Sequence, residues 1–235
     1  MRVGWCILVA ALFLPVALSS SRAASYSIDD PVTAEAEVAF EFVREGMPVP
    51  RFTLRVRQDG TGRYQADQAA RSPSDTAMRG EAAEHIDRTF MLSPTMTHKI
   101  FEAAHDADHF NIACASKAKH IADTGIKTLR YSGADGAGSC VYNYSDNKTV
   151  AMLTDSFLGI AYTMDEGRRL DFLHRYDRLG LDAEISVLSQ EVEAGRALEL
   201  GTISETLAGI ADDTAIIQRA RLGAARLLAL TREGR

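Results

Sequence analysis

Two stretches of strict alternation near the N-terminal end constrain this chain more than any other feature. From Ala34 it reads "AEAEVAFEFV", where Glu35, Glu37, Ala39 and Glu41 alternate with Ala36, Val38, Phe40 and Phe42. A period of two puts the apolar set on one side of a β-strand and leaves the other side wet. "REGMPVP" breaks the pattern. "RFTLRVR" then resumes it, with Phe52, Leu54 and Val56 inward and Arg51, Thr53, Arg55 and Arg57 outward. "QDGTG" is a turn signal and "RYQA" returns as a short strand, so a hairpin is predicted. Residues 67–83 are polar and Ala-rich and read as a loop. "HIDRTFML" (85–92) reads as a further strand, with Ile86, Arg88, Phe90 and Leu92 sharing one parity. "IKTLRYS" (126–132), "SCVYNYS" (139–145) and "KTVAMLT" (148–154) read as a three-stranded meander, with Asp146-Asn147 as its second turn.

Helical periodicity appears between and after these strands. Ser93 followed by Pro94 is a hydroxyl cap with proline at the first helical position. Met96, Ile100, Ala103, Ala104 and Ala107 then mark one face of a helix expected to run to about His109. "MDEGRRLDFLHRYDRLG" predicts a helix with Leu170, Leu173 and Tyr176 inward, stopped by Gly180. Residues 181–235 contain no proline and read as two or three helices, with Thr202 or Ser204 and Asp213 or Thr214 as caps. In the last of them Ile216, Ala220, Gly223, Ala224 and Leu227 form an apolar stripe, which either completes the fold or faces a partner. The expected class is α+β: an antiparallel sheet of hairpin and meander strands packed with helices over 25–180, plus a helical C-terminal extension over 181–235.

The opening "MRVGWCILVAALFLPVALSSSRAAS" has the layout of a secretory signal peptide, occupying about residues 1–24. One cation, Arg2, precedes an apolar run, and Ser21 and Ala23 are small residues at the positions a signal peptidase reads. The competing reading is an uncleaved anchor, but the run is short for a spanning helix, which needs about 20 residues. Cleavage leaves no further membrane span and a secreted or periplasmic chain. The full sequence holds 26 basic and 32 acidic residues; Arg2 and Arg22 leave with the signal, giving 24 − 32 = −8. An acidic chain without a basic block argues against nucleic acid as a partner. Cys6 leaves too, so Cys114 and Cys140 remain as an even pair in an oxidising compartment, where a disulfide between them is expected.

The densest chemistry lies in "HDADHFNIACASKAKH" (105–120). His98, Glu102, His105 and His109 share the helix face opposite the apolar one. Neighbours at i and i+4 can share a transition-metal ion, but no second wall of ligands is visible in the sequence, and a solvated face accounts for the same residues. Cys114 lies five residues past His109 and six before His120, a spacing that permits a thiolate with its base without specifying one. Ser116 to Lys119 fits S-x-x-K and Ser145-Asp146-Asn147 fits S-D-N, yet the K-T-G of penicillin-recognising enzymes is absent. "GADGAG" lacks the Gly-Lys-Ser/Thr ending of a phosphate loop and reads as a flexible connection. The pairs Asp106/Asp108, Asp165/Glu166 and Asp212/Asp213 read as solvated faces or caps.

Pro50, the strand Phe52 to Arg57, Asp59-Gly60 and Tyr64 resemble small uncharacterised bacterial exported domains, in which a proline precedes a strand ending in a D-G-x-G-like turn. Those domains commonly carry cysteines just before that strand, where this chain has Met47 and Pro48. The resemblance implies export and brings no activity and no functional residue. The functional expectation is therefore a non-catalytic exported domain, without a cofactor, that binds an unidentified protein or small molecule or serves the envelope. The rival expectation is an exported metal-dependent or thiol hydrolase working through His105, His109, His120 and Cys114.

Overall fold

The computed structural model describes residues 35–69 and 84–232. The expected signal peptide and most of the loop expected at 67–83 lie outside the described residues.

Six strands form one antiparallel sheet: β1 (Glu37–Val43), β2 (Arg51–Arg57), β3 (Thr61–Gln68), β4 (Glu84–Met91), β5 (Ile126–Gly133) and β6 (Gly136–Tyr142). Their order is β4-β3-β2-β1-β5-β6. The alternation in β1 and β2 sets the register: Phe40 stands opposite Leu54 on one side and Leu129 of β5 on the other. One face, carrying Val38, Phe40, Leu54, Val56, Tyr64 and Leu129, is buried. The other is wet and laced with weak ion pairs, such as Arg55–Glu37 at 3.9 Å and Arg130–Glu41 at 3.8 Å.

Among the described residues five α-helices follow from the caps and periodicities of their segments: α1 (Pro94–Asp106), α2 (Lys148–Tyr176), α3 (Leu181–Glu193), α4 (Ser204–Asp212) and α5 (Gln218–Arg232). Ser93 caps α1 as expected, its hydroxyl accepting from the Met96 amide at 3.2 Å. The helix buries Ile100, Phe101, Ala103 and Ala104 against the sheet. It stops three residues before the expected end. Asp108, His109 and Phe110 then adopt left-handed φ values of 50°, 52° and 67°, forming a tight turn.

The largest departure from expectation is α2. The strand expected at 148–154 does not form, and the meander has only two strands, β5 and β6. Asn147 is not a hairpin residue. Its side-chain carbonyl accepts from the Thr149 and Val150 amides at 2.9 and 3.2 Å and starts a 29-residue helix. That helix contributes to two cores. Its first half lays Phe157 parallel to Phe40, with ring centroids 5.1 Å apart. Its second half sends Leu170 and Leu173 into a separate core with Ile185, Leu188, Leu207 and Ile210. Tyr176, expected inward, is exposed, because α2 ends there and Gly180 begins α3 instead of stopping α2. The stripe Ile216, Ala220, Ala224 and Leu227 is buried in this second core. Thr202 and Ser204 do not cap α4, whose N-terminus has no side-chain cap. Asp213 does accept from the Ala215 amide, at 2.9 Å, in the turn leading to α5.

Candidate functional site

Cys114 and Cys140 form a disulfide, with alpha carbons 5.8 Å apart. It joins the loop after the left-handed turn to β6, an outer strand of the sheet where a middle one was expected. A bridged Cys114 has no thiolate to offer, so a thiol enzyme loses its nucleophile here. Ser116 and Asp146, from the two lookalike motifs, do meet: the Ser116 hydroxyl donates to the Asp146 carboxylate and accepts from the Ala118 amide at 3.1 Å. These bonds, with that from the Ser116 amide to the Tyr144 carbonyl at 2.9 Å, fasten the same loop to the segment after β6.

The expected histidine stripe divides. His98 and Glu102 stay on the outer face of α1, 3.5 Å apart and open to solvent. His120 stands exposed in the loop beyond the bridge, with φ of 61°. His105 and His109 do come together. The left-handed turn folds His109 back over the end of α1, so its Nε2 lies 2.9 Å from His105 Nδ1. A third group joins them that the sequence did not single out. Asp135, at the tip of the β5–β6 hairpin, places Oδ2 at 3.6 Å from His105 Nδ1 and 3.4 Å from His109 Nε2.

Tyr131 on β5 builds the floor of this corner. Its ring stacks on His109 at 4.4 Å and lies tilted to His105 at 5.6 Å. Its hydroxyl donates to Asp135 Oδ1 at 2.6 Å. Burial, and then this bond to a carboxylate, push the Tyr131 hydroxyl up to about 12. The same bond, ahead of the two histidines, holds the Asp135 carboxyl below its ordinary range. Gly136 is required beside it, since a Cβ there would stand 2.9 Å from His109 Nδ1.

His105 also borders a groove of about 710 Å³ between α1 and the junctions β2–β3 and β4–α1. Its walls are apolar at Met91, Leu92, Pro94 and Phe101, and Met91 is 57% exposed there. Its rim is acidic at Asp59, Glu102 and Asp106. Among the described residues no lysine or arginine lines it.

Fold and site together define an α+β protein with helices on one face of a six-stranded antiparallel sheet and a bridged, histidine-bearing corner beside an acidic groove. No family model matches the chain, and no curated protein matches it. Among the described residues no helix is long and apolar enough to cross a membrane.

Proposed function

We propose that this protein is an exported, non-catalytic binding domain, secreted or periplasmic, and that the groove beside α1 takes an organic cation with an apolar body. The groove carries the reading. Its volume falls within the range of small-molecule sites, about 300–1,000 Å³. Its walls suit a hydrocarbon, and among the described residues its rim presents three carboxylates and, besides His98 and His105, no basic side chain. The bridge supports an oxidising destination, since paired thiols persist as disulfides there.

The test uses the isosteric pair 2-phenylethylamine and phenylacetate, followed by NMR of the oxidised protein. The amine should shift the Met91 methyl and the amides of Phe101 and Glu102, and phenylacetate should not. The double variant E102Q/D106N should weaken the amine by about fivefold, the equivalent of roughly 1 kcal/mol for exposed charge pairs. Equal response to both probes, or none to either, would overturn the reading. Mass spectrometry of the exported chain should show the loss of about 24 N-terminal residues.

A further inference from the structure

We infer that His105, His109 and Asp135 form a binding site for a divalent transition-metal ion of the zinc and copper type. The inference goes beyond the groove reading and stands on different atoms, with only His105 common to both.

The separations of the three ligand atoms are close to those a bound ion imposes. A tetrahedral zinc ion with bonds of about 2.0–2.1 Å holds its ligand atoms about 3.3 Å from one another. His105 Nδ1, His109 Nε2 and Asp135 Oδ2 are separated by 2.9, 3.4 and 3.6 Å. They trace one face of such a tetrahedron. The side chains are 45%, 19% and 49% exposed, so the fourth position opens to solvent. Imidazole nitrogens with one carboxylate suit borderline divalent ions and not magnesium or calcium, which prefer all-oxygen shells.

Three further features hold the set in place. Asp135 uses Oδ1 to accept from Tyr131, which turns Oδ2 toward the two histidines; outer-shell bonds of this kind orient metal ligands. His109 keeps a left-handed backbone, a conformation that costs about 1–2 kcal/mol in an L-residue and clusters at functional positions. The disulfide fixes the approach of the two chain segments. His109 lies 114 − 109 = 5 residues before one cysteine, and Asp135 lies 140 − 135 = 5 residues before the other. The bridge thus ties together the two strands of chain that carry ligands on either side of the gap.

The experiment titrates the oxidised, untagged chain with Zn²⁺ by calorimetry and with Co²⁺ by absorption. We expect one ion per chain and the intense visible bands of a tetrahedral cobalt centre. His105→Gln and His109→Asn should each weaken Zn²⁺ by 100-fold or more; asparagine tolerates the left-handed backbone, so the second variant preserves the turn. Tyr131→Phe should cost about tenfold through Asp135. His98→Ala should change nothing. Reduction of the disulfide should weaken binding while leaving the ligands in the chain. Circular dichroism of each variant separates loss of the site from loss of the fold. Absence of binding to the oxidised wild type overturns the inference. So does Zn²⁺ affinity that survives in correctly folded His105→Gln and His109→Asn, or that falls as far in His98→Ala.

Discussion

Asp165 sits half-buried on α2, where its Oδ1 accepts a hydrogen bond from the buried Tyr64 hydroxyl at 2.9 Å. Burial outweighs that bond and the nearby Arg168 and Arg88, and pushes the carboxyl from 3.8 to about 6. Its neighbour Glu166 is pushed up as well, by burial and by Glu184 beside it. In the sequence this pair looks like a solvated face, because two adjacent acids carry no sign of the elements packed over them, β3 with Tyr64 and α3 with Glu184. The effect on stability has a definite sign. Between about pH 4 and pH 6 the folded carboxyl keeps a proton that the unfolded chain has already lost, so stability falls as pH rises through that window. Asp165→Asn cannot ionise and retains an oxygen for Tyr64. It should be more stable than wild type at neutral pH by about 2 kcal/mol, and the margin should vanish toward pH 4. Thermal melts of both proteins across that range check this; a margin that does not change with pH would contradict it. Asp135 is the other residue the sequence conceals. "GADGAG" reads as a flexible connection, and only the packing of α1 and its left-handed continuation against β5 and β6 brings it to the histidines.

At the scale of elements, β1 and β2 were legible because each keeps one apolar parity and is bounded by turn residues, while β3, β4 and β5 read as strands although Gln68, Arg88 and Lys127 interrupt theirs. The burial of Phe52, Leu54 and Val56 against the exposure of Arg51, Arg55 and Arg57 follows the pattern read from the text. Helix α2 was not legible at its start. "KTVAMLT" is rich in β-branched and apolar residues, and Asp146-Asn147 before it is ordinary turn chemistry. The informative signal lay at longer range: Val150, Leu153, Phe157, Ile160 and Met164 recur at spacings of three and four and are all buried. The helix also buries Thr154, Ser156 and Thr163, whose hydroxyls donate back to carbonyls one turn earlier, so no clean polar face marks it. If Asn147 is the cap, Asn147→Ala should lower stability by about 1 kcal/mol and Asn147→Asp should lower it little. Denaturant melts measure both. Equal losses in the two variants would show that the side-chain oxygen contributes nothing there.

For the whole molecule, the helical C-terminal segment makes contacts that its own periodicity does not foretell. Glu199, before α4, reaches the start of α1: its carboxylate accepts from the Ser93 amide at 2.6 Å and from the Ser93 hydroxyl at 2.7 Å. Glu199 is buried and holds a left-handed φ of 57°. One carboxylate thus supports the cap of the helix that carries His105. Glu199→Ala leaves the part-buried Ser93 amide and hydroxyl without their partner and should cost about 1–2 kcal/mol. Hydrogen exchange should quicken in both α1 and residues 200–212. Faster exchange in only one of them would mean the two cores open independently. The strand β6 lies outermost in the sheet, and Asn111, in the loop anchored by Cys114, donates to its Ala137 carbonyl at 3.3 Å. Outermost strands recruit like strands from other molecules unless something guards them. Without the bridge that guard loses its covalent tie to β6, so reduced protein is expected to associate rim to rim more readily than oxidised protein. Prompt oxidation would then serve solubility as much as rigidity.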